Sequence, residues 1–146
     1  MKKIFIAAVM AIAVSTSAFA DASKVSSTIR SNFSADFAGA SEVEWKTTSD
    51  FTKASFVLDG AKVEAFYNAQ GQLFATGTSI DMSALSKKTL QTIAKKYAGY
   101  VIKEAVTVTN DEQVATKYIA LEKANLRLIV EVDSDGGLSL FSRTKK

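Results

Sequence analysis

The sequence predicts an α+β protein of two tandem units, each a helix followed by an antiparallel β-meander, with the helices packed on one face of the sheet. Three observations support this fold class. The segment Phe37-Ala38-Gly39-Ala40 recurs sixty residues later as Tyr97-Ala98-Gly99-Tyr100. An amphipathic helical pattern precedes each copy, and four short β-like segments follow each copy. Similarity at a fixed spacing indicates a repeated structural unit.

The first twenty residues have the features of a secretory signal peptide. Two lysines precede the apolar run Ile4 to Val14, and the segment ends in the small-x-small sequence Ala18-Phe19-Ala20. We therefore predict cleavage between Ala20 and Asp21. The apolar run is shorter than the about 20 residues of a membrane-spanning helix. Since the sequence has no Cys to carry a lipid, we expect a periplasmic or secreted mature chain without a membrane anchor.

Composition narrows the classes of function. The excess of three positive charges falls to one without Lys2 and Lys3, which leaves no concentrated positive face for a nucleic acid. The sequence has no His and no Cys, the residues that most zinc sites and His-based nucleophilic triads require. We therefore expect no metal, no cofactor, no nucleic-acid partner and no enzymatic activity. Residues 21–146 have the size of one domain, with repeats at about 22–80 and 82–144.

Each predicted helix is recognised by apolar residues that recur along one side of a helix. Such a stripe is typical of an amphipathic helix with one buried face. Gly39 and Gly99 follow the two stripes, at the position where a residue with positive φ often ends a helix. The stripes consist of Val25, Ile29, Phe33 and Phe37 in the first unit and Leu85, Leu90, Ile93, Ala94 and Tyr97 in the second.

Eight segments rich in Val, Ile, Thr and aromatic residues are predicted strands. They span Val43–Ser49, Thr52–Asp59, Ala61–Asn68, Gln72–Ser79, Val101–Thr109, Gln113–Glu122, Leu126–Asp133 and Leu138–Thr144. Asp59-Gly60 predicts a two-residue hairpin turn, and Asn68–Gly71 and Asp133–Gly136 fit type I turns. The last turn also resembles part of a calcium loop, but Thr144 stands where that loop needs an acid. A turn is therefore favoured.

Alternation of side chains along the strands assigns two faces to the sheet. The face under the helices is predicted to carry Trp45, Ala54, Phe56, Leu58, Val63, Ala65, Tyr67, Ile119, Leu121, Leu128, Val130, Val132, Leu138 and Leu140. The opposite face is predicted to expose Val57, Phe66, Phe74, Ile129 and Phe141 among charged side chains. Aromatic and charged residues together are typical of partner-binding patches, although single apolar residues are also ordinary surface features. We predict a partner-binding face at these five residues.

The order of several short motifs resembles the PepSY-like family of small secreted bacterial proteins, also described as β-lactamase-inhibitor-like. The motifs are Val43-x-Trp45, Ala54-x-Phe56, Asp59-Gly60 and Tyr67-Asn68-x-x-Gly71, after a helix ending in Phe37-Ala38-Gly39. The resemblance covers most of residues 25–142 and is stronger in the first unit. Ala38, Ala98 and Ala105 depart from the family pattern. The resemblance implies helices lying on an antiparallel sheet and a binding or inhibitory role, and it assigns no functional residue.

Three functions remain open at this point. The favoured one is a non-enzymatic secreted or periplasmic binding module for a protein or cell-envelope partner, including inhibition of another secreted protein. The alternative is a structural or envelope-stress protein without a specific site. The least favoured is a hydrolase that uses carboxylates alone, because such chemistry needs two acids facing one cleft and most candidates stand in turns. The available acids are Asp50, Asp59, Glu64, Asp133 and Asp135.

Overall fold

The structure is a computed structural model that describes residues 24–146. The predicted signal peptide, with its cleavage site at Ala20 and Asp21, lies outside the described residues. Two α-helices are described, α1 (Ser27–Asp36) and α2 (Lys87–Lys96), with a short 3-10 helix, Met82–Ala84, before α2. The strands are β1 (Ser41–Thr47), β2 (Thr52–Leu58), β3 (Ala61–Tyr67), β4 (Leu73–Ser79), β5 (Val101–Asn110), β6 (Ala115–Lys123), β7 (Leu126–Val132) and β8 (Leu138–Lys145).

The predicted fold class, two tandem helix-plus-meander units, is wrong. The eight strands form one sheet in chain order from β1 to β8, and the two α-helices have only ten residues each. The fold is therefore a sheet-rich one in which helices are minor elements. Alternation in a sequence indicates that a segment is a strand and which side chains share a face. It does not indicate where a sheet ends, because the open backbone edge of a strand can pair with any following strand.

The described residues form two compact units, which are considered separately. The N-terminal unit contains residues 24–78 and 109–114, and the C-terminal unit contains residues 79–108 and 115–146. The hairpin tip between β5 and β6 thus belongs with the N-terminal unit, although it is distant from that unit in sequence.

In the N-terminal unit, α1 covers one face of β1–β4. The buried core consists of Val25, Ile29, Phe33, Ala54, Phe56, Val63, Ala65 and Tyr67. The Phe33 ring lies 5.0 Å, centroid to centroid, from both Trp45 and Phe56 in edge-on geometry, an arrangement that aromatic rings favour. Trp45 and Leu58 are partly buried against this core. The predicted helix face is therefore confirmed in this unit.

In the C-terminal unit, α2 contributes Thr89 and Ile93 to the buried face. The buried apolar core consists of Leu85, Ile93, Ala105, Ile119, Leu121, Leu128, Val130 and Leu138, with Val132 partly buried against it. Leu140 is 55% exposed, so its assignment to the core is wrong. It lies opposite Val130 on the last strand of the sheet, where alternation still places it on the helix face but no further strand flanks it.

The turn prediction at Asn68 and Asp133 is confirmed. Asn68 Oδ1 accepts hydrogen bonds from the N–H groups of Gln70 and Gln72, at 3.0 and 2.9 Å. Asp133 Oδ1 accepts in the same way from Asp135 and Gly137, at 3.0 and 2.7 Å. The Asp133 carboxylate thus fixes its own turn. Within residues 24–146, no group of three or more His, Cys, Asp or Glu could hold a metal ion.

Candidate partner-binding face

The face of β1–β4 opposite α1 is called here the outer face of the N-terminal unit. Two rows of directly opposed residues cross it. One row consists of Lys46, Lys53, Phe66 and Ala75, and the neighbouring row consists of Glu44, Ser55, Glu64 and Gly77. Side chains two apart on one strand point to the same face, so Glu64 and Phe66 are neighbours on β3. The outer face therefore combines an aromatic residue with charges of both signs.

The predicted exposure of Phe66 is wrong, because its side chain is 0% exposed. The Phe51 ring packs against it at 5.3 Å in edge-on geometry, and the Phe74 ring lies 6.3 Å away. Phe66 and Phe74 are thus neighbours, as expected, but a bulge after Phe66 places it directly opposite Ala75. The sequence patterns did not predict that Phe51 packs on this face, because it precedes β2 and belongs to no alternating pattern. Val57 and Phe74 are half-buried.

The two predicted face residues of the C-terminal unit behave similarly. Ile129 is only 5% exposed, so the expectation that it faces solvent is also wrong. Phe141 is half-buried, and its ring lies 5.2 Å from that of Tyr118 in edge-on geometry. Burial raises the pKa of Tyr118, and the carboxylate of Glu131 raises it further. These aromatic residues pack against each other on the face opposite α2.

Glu64 is the most unusual residue of the outer face. It is 2% exposed although it carries a carboxylate. Its Oε1 atom accepts hydrogen bonds from Lys53 Nζ at 2.7 Å and from Ser55 Oγ at 3.3 Å. No described residue donates a hydrogen bond to the equally buried Oε2 atom. Burial raises the pKa of Glu64, and the ammonium of Lys53 opposes this effect only in part.

A buried carboxylate with an incomplete set of hydrogen bonds reduces the stability of a fold. Packing does not require an acid at this place in a strand. β3 and β7 each have seven residues, and the fourth residue of β7 is the buried Ile129. An apolar residue therefore fills in β7 the position that Glu64 fills in β3.

The charged residues of the C-terminal unit form a different arrangement. Arg127 donates to Glu122 Oε1 at 2.9 Å and to Glu104 Oε2 at 3.3 Å. Lys146 Nζ lies 2.5 Å from Glu122 Oε2, and its hydrogen bond lowers the pKa of Glu122. Both oxygens of Glu122 therefore have partners. Ion pairs of this kind near the surface contribute little to stability, and this cluster offers no vacant acceptor at Glu122.

Each unit has an open cleft on its described surface. The larger, about 480 Å³, borders the start of α2 at Ser86 and Thr89 and the turn at Asp133–Gly136. The hydroxyl of Thr89 donates to the Gly136 carbonyl at 3.3 Å and so links the start of α2 to this turn. The other, about 340 Å³, lies beside Asp36 and residues 73–76. Asp36 accepts the hydroxyl of the buried Tyr67 at 3.3 Å.

The buried carboxyl group of Glu64 predicts a specific dependence of stability on pH. Because the pKa of Glu64 is raised in the folded protein, the folded state binds its proton more tightly than the unfolded state. Wild-type stability should therefore rise, relative to Glu64→Gln, as pH falls through the folded pKa towards 4.5. The gain should be about 1.4 kcal/mol for each unit by which folding raises the pKa. Urea denaturation of both proteins at pH 8, 6 and 4.5 measures the difference.

The opposite trend would contradict this assignment. If the wild-type protein loses stability relative to Glu64→Gln on acidification, the Lys53 ion pair dominates over burial and the carboxylate is a stabilising group. Since the same pH values apply to both proteins, the titration of all other groups cancels in the comparison.

Comparison with known proteins shows the fold. A DUF2874 family protein from Bacteroides uniformis has a TM-score of 0.69 at 12% identity, over 83% of this chain and 89% of that chain. A BLIP-like protein from Bacteroides fragilis has a TM-score of 0.65 at 17% identity, over 82% and 85%. A protein provisionally described as periplasmic, from Bacteroides eggerthii, has a TM-score of 0.70 at 11% identity, over 83% and 88%.

Sequence comparisons add no family to this result. No family model matches the chain, and no curated protein matches it. The PepSY-like resemblance therefore remains a resemblance. Among residues 24–146, no helix has the length and apolar character needed to cross a membrane. What the solved structures establish is that this chain has a BLIP-like fold.

Proposed function

We propose that this chain is a non-enzymatic binding module of the periplasm or the extracellular space. It binds a protein or cell-envelope partner through the outer face of the N-terminal unit. The observation that carries the proposal is the buried Glu64 beside Lys53 and Phe66, a group whose burial reduces stability and which packing does not require. A few side chains at the centre of an interface, where the partner excludes water, contribute most of its binding energy.

Separate observations support the proposed location and the proposed kind of partner. The N-terminal segment has the composition of a secretory signal, and one structural neighbour is provisionally described as periplasmic. Another neighbour is described as BLIP-like, which favours inhibition of a secreted protein as the form that binding takes.

Site-specific photo-crosslinking tests the proposal. Lys62 lies on the outer face opposite Val57 and is exposed, whereas Lys95 is exposed on α2. A photoreactive amino acid at position 62 should give a discrete adduct with a component of periplasmic extract, and the same group at position 95 should not. Glu64→Gln, which removes the charge of the buried carboxylate, should reduce the yield at position 62 by about tenfold. A purified secreted β-lactamase, assayed for inhibition, tests the inhibitory form directly.

Adducts of equal yield at positions 62 and 95, or no adduct at either, would contradict a specific outer-face site. A discrete adduct without inhibition of the β-lactamase would retain the binding module and remove that particular target.

A further inference from the structure

We propose that Glu64 is the receptor for an arginine side chain of the protein partner, and that Lys53 occupies this place in the free protein. The inference rests on the proposed function and adds to it the chemical group that the outer face recognises. It follows from the unequal use of the two Glu64 oxygens, from the surrounding aromatic rings and from the position of Lys53.

The carboxylate of Glu64 has capacity for a further donor. Lys53 and Ser55 both donate to Oε1, and no described residue donates to Oε2. A guanidinium group presents parallel N–H donors that match both oxygens of a carboxylate at once. Gly77 lies directly opposite Glu64 on β4 and adds no side chain on that side. An arginine would therefore complete the hydrogen bonding that the free protein leaves incomplete.

Aromatic rings beside Glu64 favour arginine over lysine. Phe66 is the next residue of β3 on the same face, and the Phe51 and Phe74 rings lie 5.3 and 6.3 Å from it. A planar guanidinium packs against phenyl rings while it pairs with a carboxylate, whereas a lysine ammonium acts as a compact point charge. Lys53 already supplies a point charge, and it leaves Oε2 without a donor.

The side chain of Lys53 can move away from the Glu64 carboxylate. Its side chain is 14% exposed, against 3% for that of Glu64, so solvent reaches the site at the lysine. Lys53 also lies directly opposite Lys46 on β1, and like charges in that position repel each other. The flexible Lys53 side chain, repelled by Lys46, can turn towards solvent. The Glu64 carboxylate is then accessible to an arginine, which pairs with it through two hydrogen bonds.

A single-residue probe tests the inference without knowledge of the partner. N-acetyl-arginine amide is titrated into the isotopically labelled mature chain at pH 8, and the amide resonances of β2 and β3 are followed by NMR. N-acetyl-citrulline amide, which has the same shape without the charge, is the matched ligand control. The protein variants are Lys53→Met, Glu64→Gln and, as a control on α2, Lys95→Met.

The arginine probe should shift the outer-face resonances saturably, and Lys53→Met should bind it about fivefold more tightly than wild type. Glu64→Gln should abolish saturable binding, Lys95→Met should leave it unchanged, and the citrulline probe should not bind. If Glu64→Gln does not fold, as judged by circular dichroism, Glu64→Ile serves instead because β7 carries Ile129 at its corresponding position.

Binding that survives loss of the carboxylate, or that citrulline reproduces, overturns the inference. So does the absence of binding to both wild type and Lys53→Met. Binding seen with Lys53→Met alone supports it, because removal of the internal cation then opens the site. If the probe fails while the adduct at position 62 forms, arginine recognition is wrong and the binding function stands. If no adduct forms but the probe binds through Glu64, the receptor exists without the proposed partner.

Discussion

Phe66→Ala should lower the free energy of unfolding by about 3–5 kcal/mol, the usual effect of removing a buried phenyl group. Phe66 is fully buried although it lies on the face of β3 opposite α1. Its loss would leave a cavity between the Phe51 and Phe74 rings, which pack against it. Urea denaturation, followed by circular dichroism, measures the change in the midpoint and slope of the transition.

Leu140→Ala is the matched control for this substitution, since Leu140 is a large apolar residue that is 55% exposed. Its effect should stay within about 1 kcal/mol, as for most surface changes. If Phe66→Ala proved equally mild, the Phe66 ring would be exposed to solvent in solution and would not belong to a packed aromatic cluster.

Tyr67→Ala should be comparably severe, at about 3–5 kcal/mol, because it opens the core under α1. Tyr67 is 0% exposed and packs within the buried cluster that contains Phe56 and Ala65. Burial raises the pKa of Tyr67, and the carboxylate of Asp36 adds to this effect. The phenol therefore stays protonated and donates to Asp36. Thermal denaturation at pH 7 measures the loss.

Tyr67→Phe distinguishes the contribution of the ring to stability from the contribution of its hydroxyl. It retains the buried ring and removes only the hydrogen bond to Asp36, so it should cost about 1 kcal/mol. A loss in Tyr67→Phe as large as that in Tyr67→Ala would show that the link to α1, and not the volume of the ring, stabilises this part of the unit.

Alternation along the strands was sufficient to predict most of the buried helix face. Residues such as Phe56 and Val63 on β2 and β3 lie in the core as their positions predict, because one face of a strand repeats every second residue. The predicted burial of Leu140 was wrong because alternation assigns a side chain to a face of the sheet but does not predict how deeply it is buried. A residue on the last strand can point to the helix face and still meet solvent.

The outer face was harder to predict, for a different physical reason. Phe66 was placed on the correct side of β3, but it was expected in solvent and it is buried. Burial on this face depends on rings such as Phe51, which lie outside the regular strands and carry no periodic signal. The residue type of Glu64 is that of an ordinary surface charge, and its burial is visible only in the structure.

The pairing of neighbouring strands has a consequence for the kinetics of folding. β2 pairs with β3 across a two-residue turn, as β6 does with β7, and β1–β2, β3–β4 and β7–β8 also join strands adjacent in the chain. These contacts close short loops, which keeps the sequence separation of contacts low and folding fast for a β-rich chain. The sequence also contains no Pro, so refolding includes no slow step caused by prolyl isomerisation. The folding chain would thus pass quickly through the stage in which its strand edges are open to aggregation.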